Sequence, residues 1–129
     1  MKLFILISML FCHVVDDYYS QGILAKLKQK SYWEENAPNK LYKHDYIMAL
    51  FMHSFSWAFM IMLPLVIYHW WVLKDFELFI QTRYVLALFI NIAIHAIVDD
   101  LKANKFKINL IQDQLTHMLQ ILVTWLFCL

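Results

Sequence analysis

Residues 46–73 contain no lysine, arginine, aspartate or glutamate. At about 1.5 Å per residue, a helix of this length exceeds the roughly 30 Å hydrocarbon core of a bilayer. A soluble helical domain places charge on its exposed face at nearly every turn, so this run excludes an ordinary soluble bundle. Hydrophobic residues make up 62% of the 129-residue chain, which makes lipid rather than water its main solvent. A formal net charge of +1 argues against nucleic acid as the partner, and none is expected.

Three further spans complete an all-α reading. The apolar run 3–15 is short, but it is opened by Lys2 and closed by Asp16 and Asp17 without the small-residue cleavage site of a signal peptide. Bulky Leu10 and Phe11 ahead of Cys12 also argue against a lipoprotein site. The run is therefore expected to continue as helix through Tyr18, Tyr19 and Gln21 to about Lys26. A third span starts at about Phe76 or Phe79 and reaches about residue 100, and a fourth covers about 108–129. The expectation is one integral membrane domain over residues 1–129, with helices at about 2–26, 46–73, 76–100 and 108–129. Pro64 deprives the Met60 carbonyl of its helical partner, which predicts a kink in the second helix. The polar stretch 26–45, centred on Asn36, Pro38 and Asn39, reads as an interfacial segment plus a turn. Cys12 and Cys128 fall toward opposite ends of such a bundle, so no disulfide is expected between them.

Basic residues set the orientation. Lys26, Lys28, Lys30, Lys40, Lys43, Lys102, Lys105 and Lys107 fall in loops one and three, while the opposite side holds only Lys2, Lys74 and Arg83. The positive-inside bias predicts loops one and three in the cytoplasm and both termini outside. Tyr32, Trp33, Tyr68, Trp70 and Trp71 read as aromatic belts, and His44 and His69 as interfacial residues.

This topology brings the scattered polar residues to one depth near the cytoplasmic side. The first helix ends with His13 and Asp17, the second carries His53, the third ends with His95 and Asp99, and the fourth begins with Asp113 and His117. The pairs His13/Asp17, His95/Asp99 and Asp113/His117 are each four residues apart and so share a helix face. Ionisable groups at membrane depth are costly unless they face one another, so these seven residues are candidate ligands of a shared metal site. Imidazole and carboxylate donors suit a divalent ion, zinc first, with manganese or iron also compatible. Four histidines and three aspartates exceed the needs of one tetrahedral ion, so either two ions bind or some of these residues orient the others. A bound metal would lower the pKa of its water toward about 7. Asp16, Asp17 or Asp113 then qualifies as general base and Lys102 as the partner of an anionic group. A site opening at the inner-leaflet headgroups predicts a lipid or lipid-linked substrate.

The chain resembles the family catalogued as domain of unknown function 3307, small bacterial and phage membrane proteins. The resemblance lies in His13-Val-Val-Asp16-Asp17-x3-Gln21, the lone His53, His95-Ala-Ile-Val-Asp99-x2-Lys102 and Asp113-Gln114-x2-His117. It implies the bacterial inner membrane. A more distant similarity to membrane proteins described as metal-dependent hydrolases implies hydrolysis as the activity.

A second class of function competes with this one: a non-catalytic, homo-oligomeric bundle that serves as a proton or ion pathway or binds a partner. In its plainest form the His/Asp layer only fixes helix register through hydrogen bonds. Conduction needs the polar stripe to cross the membrane, whereas the far halves of the last three helices are apolar apart from Gln81, Arg83 and Thr124.

Overall fold

The computed structural model describes residues 1–74 and 77–129, and nothing is described of the Leu78 and Phe79 side chains. All regular secondary structure among the described residues is helical: α1 (Lys2–Val14), α2 (Leu24–Leu27), α3 (Lys30–Asn36), α4 (Asp45–Ile67), α5 (Leu78–Ala103) and α6 (Leu110–Cys128). Wider π-helical turns extend α1 over Val15–Ser20 and α4 over Tyr68–Leu73, and a single 3-10 turn covers Lys40–Tyr42. Among the described residues, three segments are long and apolar enough to cross a membrane: Lys2–Ser20, Lys40–Leu73 and Ile80–Ala103. The fourth long helix, α6, is not among them; Gln112, Asp113, Gln114, His117 and Gln120 dilute the apolar character of its first half.

The boundary of helix one differs from the sequence reading. Helix one does not run on to Lys26, because the chain turns at Gly22, whose φ of +47° favours a residue without a Cβ. Helix three begins at Leu78, and the alternative start at Phe76 lies outside the described residues. The loop between α1 and α4 folds into α2 and α3 rather than a plain turn. Trp33 Nε1 donates to the Leu27 carbonyl at 2.7 Å, and Asn104 ties the loop to the end of α5. Its Oδ1 accepts from the Lys30 amide at 2.7 Å and its Nδ2 donates to the Lys28 carbonyl at 3.1 Å. α6 opens with a reciprocal capping box: the Gln112 amide donates to Asn109 Oδ1 at 2.9 Å and the Asn109 amide to Gln112 Oε1 at 3.0 Å.

Helix α4 packs against α1, α5 and α6, and α6 also packs against α1 and α5, so the four long helices close around one interior. Each lines that interior with a stripe at helical spacing. On α4 the stripe is His53, Trp57, Ile61 and Leu65; on α5 it runs from Tyr84 through Ala87 and Asn91 to His95 and Asp99. On α6 it runs from Cys128 through Thr124, Ile121 and Gln120 to His117 and Asp113, and on α1 from Ile5 and Met9 to His13. Each stripe is mostly apolar at one end and polar at the end that carries the loops before α4 and before α6. At the other end His69 is buried within the bundle. Its Nε2 lies 3.1 Å from the Cys128 carbonyl and its ring meets Tyr68 and Tyr84 edge-on. Cys12 and Cys128 are both free.

Candidate metal centre

At the polar end all seven predicted ligands are buried. The π-helical turn after α1 is wider than an α-turn, and consecutive Asp16 and Asp17 are both buried in it. Their roles differ. Asp17 Oδ1 lies 3.3 Å from His53 Nε2, whereas Asp16 Oδ1 accepts from Ser56 Oγ on α4 at 2.7 Å.

His53 Nε2 is the hub of the first group. Asp17 Oδ1 and Asp99 Oδ2 each lie 3.3 Å from it, and His95 Nε2 lies 3.2 Å from it and 3.8 Å from Asp99 Oδ2. Bonds of about 2.0–2.2 Å to a tetrahedral ion set neighbouring ligand atoms about 3.3–3.6 Å apart, so these spacings fit the edges of a coordination shell. Asp17, His53 and His95 form one buried set able to hold an ion, and His95, Asp99 and His117 form another, each with its donor atoms within 4.8 Å of one another. On the far side of Asp99, His117 Nε2 lies 3.6 Å from Asp99 Oδ1 and 3.5 Å from Asp113 Oδ1. Those three atoms are buried and have no hydrogen-bond partner among the described residues. The contacts are ion pairs when His117 is protonated, and a cation shared by the three atoms would satisfy them in place of that proton.

Around these donors the sequence supplies rings and amides that fix orientation. The Trp57 indole stacks on the His95 imidazole with centroids 4.1 Å apart, and His95 stacks on His117 at 4.1 Å. His13, predicted as a ligand, stands outside both sets with both ring nitrogens engaged. Its Nδ1 accepts from Trp57 Nε1 at 2.8 Å, which puts its proton on Nε2, 3.1 Å from Gln114 Oε1. That orientation of Gln114 directs its Nε2 to Asp17 Oδ2 and Asp113 Oδ2, each at 3.0 Å. Both carboxylates thus keep their Oδ1 atoms turned to the histidines.

No protein-family model, curated protein or solved structure matches this chain.

Two lysines balance the carboxylates. Lys28, delivered from the loop after α2, is buried with its Nζ 2.6 Å from Asp99 Oδ2, and Lys102 Nζ lies 2.6 Å from Asp113 Oδ2. Lys102 also lines an open cleft of about 320 Å³ together with Asp17, Tyr18, Gln21, Gly22 and Gln114. Of the candidate ligands, Asp17 lines this cleft at the loop end of the bundle. Gln21 donates from Nε2 to the Asp17 carbonyl, which holds the turn beside the cleft.

Sequence reasoning missed Trp57, Ser56 and the role of Lys28. Trp57 lies four residues after His53 on the same face, a spacing that could have marked it. Lys28 had no such signal, since its burial follows from how Asn104 docks the loop.

Proposed function

We propose that this chain is a membrane-embedded metal-binding protein that acts as a metal-dependent hydrolase on a lipid or lipid-linked substrate at the inner leaflet. The observation that carries this reading is the convergence of Asp17, His53, His95, Asp99 and His117, joined by Asp113 against His117, beside a cleft open at the loop end. In this reading all four long helices cross a bacterial inner membrane, with the loops before α4 and α6 in the cytoplasm. Membership of the family of domain of unknown function 3307 is part of the same proposal. Zinc is the first candidate ion, ahead of manganese and iron.

A bound divalent ion would supply a water acidified toward neutral pH. The chain's own contributions are separable from it. Gln114 keeps two carboxylates aimed inward, and the aromatic stack keeps the histidine planes in place. The cleft lined by Tyr18 and Lys102 admits a headgroup while the acyl chains stay in lipid. Lys102 can turn from Asp113 to an anionic group, since its side chain is 30% exposed. Asp16, with Oδ2 unpaired, is a further base within the interior. The plainer alternative, an oligomeric bundle whose polar layer is only structural or conducts ions, draws on the chain from Gln120 to Asn91 to Thr124, which carries polarity further along α5 and α6.

Elemental analysis of detergent-purified protein tests the reading. The intact chain is expected to hold metal that His95→Ala and Asp99→Ala lose, and to hydrolyse lipid-linked phosphoesters, esters or amides in mixed micelles only when metal is present. Intact protein that takes up no zinc, manganese or iron on reconstitution overturns it.

A further inference from the structure

We infer that the centre holds two divalent cations bridged by Asp99, an inference that rests on the metal-binding reading above. The two oxygens of this carboxylate face different histidines. Oδ2 lies 3.3 Å from His53 Nε2 and 3.8 Å from His95 Nε2, while Oδ1 lies 3.6 Å from His117 Nε2. The first cation is held by Asp17 Oδ1, His53 Nε2, His95 Nε2 and Asp99 Oδ2. The second is held by Asp99 Oδ1, Asp113 Oδ1 and His117 Nε2, buried atoms that have no hydrogen-bond partner among the described residues, the two oxygens lying 3.6 and 3.5 Å from the nitrogen.

The bundle assigns the two groups to different helices and gives each its own support. Asp17 and His53 come from the turn after α1 and from α4, and Asp113 and His117 from α6, with α5 between them supplying Asp99 to both sides. A carboxylate bridge suits ions about 3.5–4 Å apart, the separation used by two-metal hydrolytic sites. His117 is prepared for its role by Gln120. The Gln120 Nε2 donates to the Asn91 carbonyl and Oδ1, each at 3.0 Å, which turns its Oε1 toward His117 Nδ1 at 3.4 Å and leaves Nε2 as the metal-facing nitrogen. Asp99 keeps a lone pair on Oδ2 for the Lys28 ammonium alongside the first ion.

Charge then selects what else binds. Asp17, Asp99 and Asp113 against Lys28 and Lys102 leave the ligand shell only one negative charge, so two divalent ions make it strongly cationic. An anionic oxygen donor, as in hydroxide or a phosphoester, completes it and enters by the cleft beside Asp17 and Lys102.

Manganese reports both stoichiometry and pairing. Intact protein reconstituted with Mn2+ in detergent and freed of excess metal is expected to retain about two equivalents per chain with a spin-coupled electron paramagnetic resonance signal. His53→Gln and His117→Gln, with helicity verified by circular dichroism, are each expected to retain about one equivalent with the six-line signal of an isolated ion. One equivalent and an uncoupled signal in the intact chain overturns the pair while leaving a metal protein. No retained metal overturns both readings. Folded single variants that each keep both ions overturn the assignment of the two subsites.

Discussion

The Trp57 indole donates its proton to Nδ1 of His13 at 2.8 Å across the α1–α4 interface. Because the other nitrogen of His13 then donates to Gln114, one hydrogen bond sets the direction of a chain that ends on Asp17 and Asp113.

Trp57→Phe is therefore expected to weaken metal binding while leaving the fold in place. Phenylalanine keeps an aromatic face against His95 but has no donor, so His13 and Gln114 can reverse and turn an amide oxygen toward the carboxylates. Losing an outer partner of this kind costs about 10- to 100-fold in metal affinity. Chelator competition on the variant measures it, and an unchanged affinity would show that the chain does not orient the ligands.

Lys28→Met should behave differently with and without metal. The side chain is 8% exposed and its partner Asp99 is 1% exposed, so removing the ammonium leaves a buried carboxylate without its cation. Breaking such a pair costs about 3–5 kcal/mol. Added zinc supplies positive charge to the same carboxylate, so the deficit in thermal stability should be large in chelator and much smaller in zinc. An equal deficit in both conditions would separate Lys28 from the metal centre.

The helical class and the polar layer were legible because both rest on period. Charge-free runs give the spans, and a four-residue interval puts His95 and Asp99, or Asp113 and His117, on one face whatever the tertiary packing. The distinction between His13 and the other histidines was not legible. It depends on the indole proton of Trp57, and no spacing in α1 records which residue of α4 lies opposite. The choice between Asp16 and Asp17 depends on a π-helical turn that period alone does not announce. The burial of Lys28 depends on Asn104, distant in sequence, gripping the loop on both sides of residue 29. For His13 and Lys28 the missing information is a tertiary contact, and for Asp16 and Asp17 it is a local widening of the helix.

Thr124→Val and Gln120→Leu should separate stability from metal binding. Thr124 Oγ1 accepts from Asn91 Nδ2 at 2.8 Å, and an interhelical hydrogen bond of this kind contributes about 0.6–1.7 kcal/mol in a membrane bundle. Thr124→Val should lower the unfolding temperature in detergent with metal content unchanged. Gln120→Leu should lower both, because Gln120 also faces His117 Nδ1. Equal metal content in the two variants would remove Gln120 from the support of the centre.

Orientation can be read from thiol accessibility. With Cys12 and Cys128 replaced by alanine, single cysteines at Ser31, Lys107 and Lys74 report on the loop before α4, the loop before α6 and the opposite end of the bundle; all three positions are exposed. The positive-inside bias places the first two in the cytoplasm and the third outside. A membrane-impermeant maleimide should therefore label Lys74→Cys in intact cells, but Ser31→Cys and Lys107→Cys only after the membrane is opened. The reverse pattern would move the cleft and its candidate metal centre to the outer face and change the substrate pool to outer-leaflet lipids. Labelling of all three in intact cells would mean that the four long helices do not all cross, and the reading of α6 as a span would fail first.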